Sequence, residues 1–227
     1  IGDHQQLRAK VTVYDLERKG LDISLFERLV MRGCPVVTLT EQHRMHPEIS
    51  RLIHPIYPKL EDDPSTYKRE LVRSIEKRVY FLDHNWPEKA DSLGSKANMK
   101  EAEFAVALAR HLLLQGYDSS QITLLPMYSG QKFEVRKLLK LPTWNSTTPK
   151  MNQVRVVSVD DYQGEESDII ILSLVRNNEN GDLGFVKVLN RINVALSRAR
   201  CGLYILGSAN TIHSSMRLST HERETWN

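Results

Sequence analysis

Three arginines, Arg191, Arg198 and Arg200, lie in "VLNRINVALSRARCGLYILGS", which otherwise has the pattern of a helix running into a buried strand. Arg191 and Arg198 are seven residues apart, about two helical turns, so they share a face beside Ile192, Val194, Ala195 and Leu196. A guanidinium stays charged and presents a rigid fork of donors, which suits it to phosphate oxygens or to carboxylates. An isolated basic pair is also compatible with a solvated edge or a structural ion pair. Four further polar clusters bear on that choice. "VDDYQGEESDIIILSLVR" places Gln163 and Gly164 in a tight turn before Glu165, Glu166 and Asp168; "LTEQHRMHPEIS" places Gln42, His43, Arg44 and His46 before a proline-started helix. "LLPMYSGQKFEV" carries Tyr128, Ser129 and Gln131, and "GDHQQL" carries Asp3 and Gln6.

Behind these clusters run the elements that must position them. "CPVVTL" (34–39), "RVYFLDH" (78–84), "QITLLPMY" (121–128), "VRVVSV" (154–159), "DIIILSLV" (168–175) and "GLYILGS" (202–208) read as strands, most too continuously apolar for a sheet with one wet face. Between them "ANMKEAEFAVALARHLLLQG" has Phe104, Leu108 and Leu112 at helical spacing and closes on Gly116, and "SGQKFEVRKLLKL" begins with a serine suited to a cap. Alternating strand and helix predicts an α/β fold with a parallel sheet, in which ligand groups gather at strand ends. All the polar clusters then fall on one sheet edge. "PIYPKLEDDPSTYKRELVRS" (55–74) reads as a surface excursion and "LPTWNSTTPKMNQ" (141–153) as a polar loop.

At 227 residues, 41% hydrophobic and 26% charged, the chain can bury the core of one domain or slightly more. A net charge of +3 permits a polyanion partner without requiring one. Cys34 and Cys201 are too few and too far apart for a disulfide framework or a zinc module, which fits a reducing compartment. No apolar run reaches membrane-spanning length, so no membrane partner is expected. The start "IGDHQQL", without an initiator methionine, gives the chain the look of an excised piece. Cys34, His43, His46 and His54 fit no usual zinc spacing, and Asp160, Asp161, Glu165, Glu166 and Asp168 are the raw material of a two-metal site only in principle; no metal site is expected.

Together "GDHQQL", "LTEQHRMHP", "LLPMYSGQ", "VVSVDDYQGEESDIIILSLVR" and "NRINVALSRAR" resemble, in order, the motifs of superfamily 1B helicases, in the branch of the nonsense-mediated-decay helicase and senataxin. "VYDL", "SLFERLV", "EQHRMHPEI", "YQGEE" and "GFVKVLNRINVALSRA" look most like the helicases carrying NFX-type zinc fingers. The resemblance covers about residues 1–208. It implies a RecA-like, P-loop-NTPase-type second helicase domain over 34–208, preceded in 1–33 by a strip of the first RecA-like domain and followed in 209–227 by a tail of unassigned role. It also implies ATP and Mg²⁺ as cofactors, held mainly by the first RecA-like domain of the same parent chain.

By the same resemblance, Arg44 and Arg198 match arginine fingers and Gln6 the glutamine that senses the γ-phosphate. Glu166 matches an acid near the ribose, Gly164 and Gln163 complete its turn, and His43 stands where the decay helicase has a tyrosine beside adenine. Tyr128, Ser129, Gln131, Ser158 and Val159 match segments that follow the backbone of a single-stranded nucleic acid, RNA by likeness to that branch. Ser129 as a helix cap and Tyr128 as a core residue are equally open readings. Roles in small-RNA silencing and antiviral response, and a cytoplasmic site or ribonucleoprotein granules, are further implications. No Gly-x-x-x-x-Gly-Lys-[Ser/Thr] occurs, "LGSKA" around Gly94 lacking the pair, and no strand ends in Asp-Glu. The piece alone is therefore expected not to hydrolyse ATP. A non-catalytic nucleic-acid-binding or scaffold module from a degenerate helicase stays open as the alternative.

Overall fold

A computed structural model describes residues 1–90, 95–145, 148 and 150–218. The expected tail from 219 onward and the Gly94 segment lie outside the described residues. Five parallel strands form the central sheet: β1 (Val79–Asp83), β2 (Ile122–Pro126), β3 (Arg155–Val156), β4 (Ser167–Ser173) and β5 (Ala199–Gly207), in the order β1-β5-β4-β2-β3. Register runs from Val79 opposite Leu203, through Ile170 opposite Leu203 on the other side, to Ile122 opposite Ile169. The central strands are apolar throughout because both faces are covered, as the sequence predicts. Ile169 and Ile171 enter one core with Leu124 and Tyr204; Ile170 and Leu172 enter the other with Leu125, Leu203 and Ile205. This is the expected α/β parallel-sheet architecture.

Helix α1 (Met99–Leu114) and α2 (Ser129–Leu139) cover the first face. The second face carries α3 (Leu189–Leu196), the short helix Pro47–Ser50 and Ile212 of α4 (Ala209–Leu218). Asn98 caps α1 by accepting from the Glu101 N–H, and Gly116 ends it at φ 89°, a left-handed conformation that costs glycine nothing. The buried stripe of α1 is Ala102, Ala105, Val106, Ala109 and Leu112; Phe104 is instead exposed and tilts toward Trp86 at 6.2 Å. Small alanines bring the helix backbone close to the sheet, a contact that a phenylalanine would hold open. Glu101, wholly buried, ties the helix to the end of β4: its carboxylate meets His84 Nε2 at 2.8 Å and accepts from Ser173 Oγ at 2.6 Å and the Val175 N–H at 3.0 Å.

Three local expectations change. Residues 34–39 form no strand: Val37 and Leu39 are 96% and 89% exposed, and only Glu41–Gln42 pairs, with Glu61–Asp62. An apolar stretch becomes a strand only beside a sheet edge with free backbone groups, and none lies next to 34–39 here. Segment 55–74 is not wholly superficial, because Thr66 is buried and Val72 enters the core under β5. Ser129 is the first residue of α2 and not its cap; the Gly130 N–H is satisfied from outside by Ser95 Oγ at 3.0 Å.

Candidate nucleotide and nucleic-acid site

The end of α3 is where the charge converges. Asn190 and Asn193, three residues apart on that helix, donate to the carbonyls of His4 (3.0 Å), Gln6 (2.6 Å) and Gln5 (2.8 Å). Asn193 also donates to the Tyr57 hydroxyl at 2.6 Å, which in turn donates to Asp3 Oδ2 at 2.6 Å. Asparagine is a poor interior helix residue, so two of them mark a helix whose side chains have other work. That spacing is the signal by which Asn190 and Asn193 were legible, and the resemblance-based reading passed over them. They hold Gln6 against the end of α3, where its side-chain amide donates to Asp3 Oδ2 at 2.8 Å and its oxygen faces Arg198.

Arg198 is 2% exposed, one of the largest fully buried side chains. Its fork donates to Val194 O at 3.1 Å, Ser197 Oγ at 2.7 Å, Glu165 O at 3.4 Å and Gln6 Oε1 at 3.4 Å, all neutral oxygens. Among the described residues it has no carboxylate within salt-bridge distance. Burial first, and then the neighbouring Arg44 charge, pull its pKa down to about 10. A cation buried without an anion is costly, and its retention here calls for a reason.

Arg44 sits at the same place, donating to Ser197 O at 3.0 Å and to Glu166 Oε2 at 2.6 Å. Its N–H is held by Gln42 Oε1 at 2.9 Å, and the same amide bonds Met45 and Asp62. The hydrogen bond from Arg44, opposed by burial and helped by the charges of Arg44 and Arg200, keeps the Glu166 carboxyl below the usual carboxylate range. Arg200 pairs with Asp168 at 2.8 Å and Glu166 at 3.4 Å, and Arg191 pairs with Asp160 at 2.8 Å. Of the four arginines, Arg198 alone keeps no acid.

Gln42, His43, Arg44, Met45 and Glu166 line an open cleft of about 360 Å³. His43 stands at its mouth between Glu41 (3.2 Å) and Asp63 (3.5 Å). The ligand atoms of that trio lie within 4.8 Å of one another, but each ring nitrogen faces a different carboxylate, a geometry of two ion pairs more than of one shared ion. Gly164 has φ 82°, and a Cβ there would meet nothing within 4 Å, so glycine serves the turn's left-handed backbone; Gln163 on the same turn is exposed.

The five residues matched to a nucleic-acid track divide by burial. Tyr128 is 5% exposed; its hydroxyl donates to Leu183 O at 3.2 Å and accepts the Phe185 N–H at 2.9 Å. Gln131 is wholly buried, bonded to both backbone groups of Asn98 and to Ser173, and Val159 is also interior. These three side chains point inward and are held by groups of the fold. Ser129 alone of the five is exposed, beside Ser95 at 3.2 Å; Ser158 is buried, its hydroxyl held by Asp161 and Lys132. Phe185, exposed and stacked on Tyr128 at 5.1 Å, lies in the stretch "GFVKVLNRINVALSRA", but the resemblance assigns it no role, and the fold brings it here.

Residues 21–210 match the AAA domain family. The chain is 49% identical to the human "NFX1-type zinc finger-containing protein 1", over 92% of this chain and 11% of that protein. It is 40% identical to the Schizosaccharomyces pombe "Helicase required for RNAi-mediated heterochromatin assembly 1", over 95% of this chain and 21% of the relative. With a "Regulator of nonsense transcripts 1 homolog" of Arabidopsis thaliana it shares 34% identity, over 99% of this chain and 19% of the relative. The chain thus spans between about a tenth and a fifth of these curated relatives.

Proposed function

This chain belongs to the superfamily 1 helicases, in the group that shares this AAA domain, and from that premise we propose that it is the arginine-finger half of an ATP-dependent RNA helicase or translocase. The observation that carries the proposal is Arg198: a fully buried guanidinium bonded only to neutral oxygens, beside a second arginine and the Gln6 amide. A γ-phosphoryl group is the anion that such a set fits, since two forks and an amide can meet its three oxygens. Bound ATP supplies the phosphoanhydride whose cleavage drives movement. Arg198 and Arg44 then counter the charge that develops on the transferred group, and Gln6 orients the oxygen that attacks it. Glu166 holds Arg44 in place while Arg44 faces the cleft.

The same residues do not fit Mg²⁺. Glu166, Asp168 and Glu165 are committed to Arg44, Arg200 and Arg155, so the metal and the β-phosphate cradle belong to a first RecA-like domain in the parent chain. A strip of that domain and the crossover in residues 1–33 are supported by the exposed apolar side chains of Leu25, Leu29 and Met31, which, like Val37 and Leu39 just beyond, have no cover among the described residues. Single-stranded RNA is the proposed second ligand, along the surface of Ser129, Lys132 and the segment that carries Ser158. No helix among the described residues is long and apolar enough to cross a membrane. A cytoplasmic ribonucleoprotein setting and work in small-RNA silencing or antiviral response extend the same reading.

The test is Arg198→Ala in the parent protein, read in two assays. RNA-stimulated ATP turnover should fall by about 10³-fold or more while RNA affinity stays within a few-fold of wild type. Turnover within tenfold of wild type would refute the finger assignment. If the parent neither hydrolyses ATP nor changes its RNA affinity with nucleotide, the scaffold reading replaces this one.

A further inference from the structure

Beside Ser158 and Tyr128 the structure builds an ordered column of side chains that ends at the surface. Arg176 lies over the Tyr128 ring at 5.9 Å, Tyr128 stacks on Phe185 at 5.1 Å and 29°, and the Arg191 guanidinium lies 4.3 Å from the Phe185 centroid. The inner members are buried, but Phe185 is 47% exposed. Its position does not follow from hydrophobic burial, because the backbone holds it out. The Phe185 N–H donates to the Tyr128 hydroxyl at 2.9 Å, and Asp182 Oδ1 accepts the Gly184 N–H at 2.9 Å. Gly184 itself has φ 51°, and a Cβ there would fall 2.3 Å from Arg176 Nη1 and 2.5 Å from Tyr128 Oη. The outer member is equally fixed: Arg191 is clamped by both oxygens of Asp160, at 2.8 and 3.2 Å. An aromatic ring and a guanidinium plane, both pre-set and open to solvent, form the stacking surface that an unpaired base fits.

We propose that Phe185 and Arg191 form a nucleobase-stacking site for a single strand, at the rim of the surface on which Ser129 and Lys132 face the strand's backbone. This inference rests on the single-strand surface proposed above and adds to it a contact with the base. Asp160 neutralises Arg191, so the guanidinium acts here chiefly as a plane and Phe185 as its backing. Such stacking accepts any base, as a motor that moves along a strand requires. The bland alternative is that Phe185 merely roofs Tyr128 and holds the fold there.

The experiment compares the chain with its Phe185→Leu and Phe185→Trp variants. Each is titrated with a short oligouridylate carrying one 2-aminopurine, and with the same strand made abasic at that position. The proposal expects wild type and Phe185→Trp to quench the 2-aminopurine and to prefer the base-bearing strand. Phe185→Leu, at an unchanged melting temperature, should lose about 5- to 100-fold of affinity for that strand and none for the abasic one. A Phe185→Leu variant that still discriminates the two strands as wild type does would overturn the stacking site while leaving the single-strand surface intact. Loss of affinity for both strands together with a lowered melting temperature would assign Phe185 the roofing role instead. If wild type binds neither strand, the single-strand surface itself fails, and the stacking site falls with it.

Discussion

Replacing Arg198 by methionine separates a residue kept for function from one kept for stability. Methionine preserves most of the side-chain volume and removes the charge. Burial holds the Arg198 pKa below the ordinary arginine value, at about 10, so keeping the charge in the fold costs on the order of 3 kcal/mol at neutral pH. For a base with a lowered folded pKa, the unfolded state binds the proton more tightly between these two values. Folding stability therefore rises as pH climbs through that window, and the cost is fully present below about pH 10. Against the relief on removing the charge stand the lost bonds to Val194 O and Ser197 Oγ, together about 2–3 kcal/mol. Part of that loss is recovered, because the Ser197 hydroxyl already donates to Val194 O at 3.3 Å. The two sums nearly cancel. Arg198→Met should leave stability at pH 7 within about 1 kcal/mol of wild type, a melting shift of about 2–4 °C at most for a chain of this size. Turnover in the parent protein should nevertheless fall by about 10³-fold. Scanning calorimetry of the chain and a coupled ATPase assay of the parent read the two quantities. A loss of about 3 kcal/mol or more would mean that Arg198 is the anchored half of a structural pair, as broken buried pairs behave, and would refute the argument from its missing acid.

Gly184→Ala should destabilise the chain by about 2–4 kcal/mol in urea melts, since both the positive φ and the 2.3 Å approach to Arg176 oppose a methyl group. Asn193→Ala, which releases Gln5 O and the Tyr57 hydroxyl, should cost about 1–3 kcal/mol and speed amide exchange over residues 4–7; unchanged exchange there would show that the N-terminal strip is held elsewhere. Glu166 has a lowered folded pKa, so its pairing contributes above the ordinary carboxylate value of 4.5 and is lost as pH falls through the folded value. Partial exposure limits that contribution to a fraction of a kcal/mol. Acid titration of wild type should therefore show a slightly steeper stability loss below about pH 4.5 than titration of Glu166→Gln, and parallel curves would remove the Arg44–Glu166 link.

Sheet, strand class and the gathering of polar clusters on one edge were readable because continuous apolar runs and helical spacings are local patterns. Val37 and Leu39 show where local patterns stop: their β-branched and apolar run has strand propensity, but a strand needs a partner edge, and the pattern is silent on whether one is within reach. Tyr128 and Gln131 show the same limit for function. Their motif marks their place in the chain, while the direction of each side chain depends on groups 33 to 57 residues away, Asn98 and Phe185 among them. Phe185 went unread for the converse reason: it stands in the matched stretch "GFVKVLNRINVALSRA", but a single phenylalanine carries no period, and only the fold stacks it on Tyr128.

The distribution of acids among the arginines points to how the two proposed ligands communicate. Arg191 and Asp160 join the stacking column to the segment that carries Ser158, and just past the end of the same helix lies Arg198. Asn190 and Asn193 on that helix hold the strip bearing Gln6. A shift of α3 therefore moves the base-stacking rim, the backbone surface and the unpaired guanidinium as one body. Without an anion, Arg198 carries its burial cost; with a phosphate delivered from a facing domain, that cost is returned as affinity for the closed arrangement. A ligand can bias such an equilibrium only through its different affinity for the two arrangements, and the unpaired charge supplies that difference on the nucleotide side. By reciprocity, a strand that is held more firmly in one position of α3 must alter nucleotide affinity by the same factor. Allosteric sites commonly influence one another by about 5- to 150-fold, and the effect of a bound strand on nucleotide affinity should fall in that range.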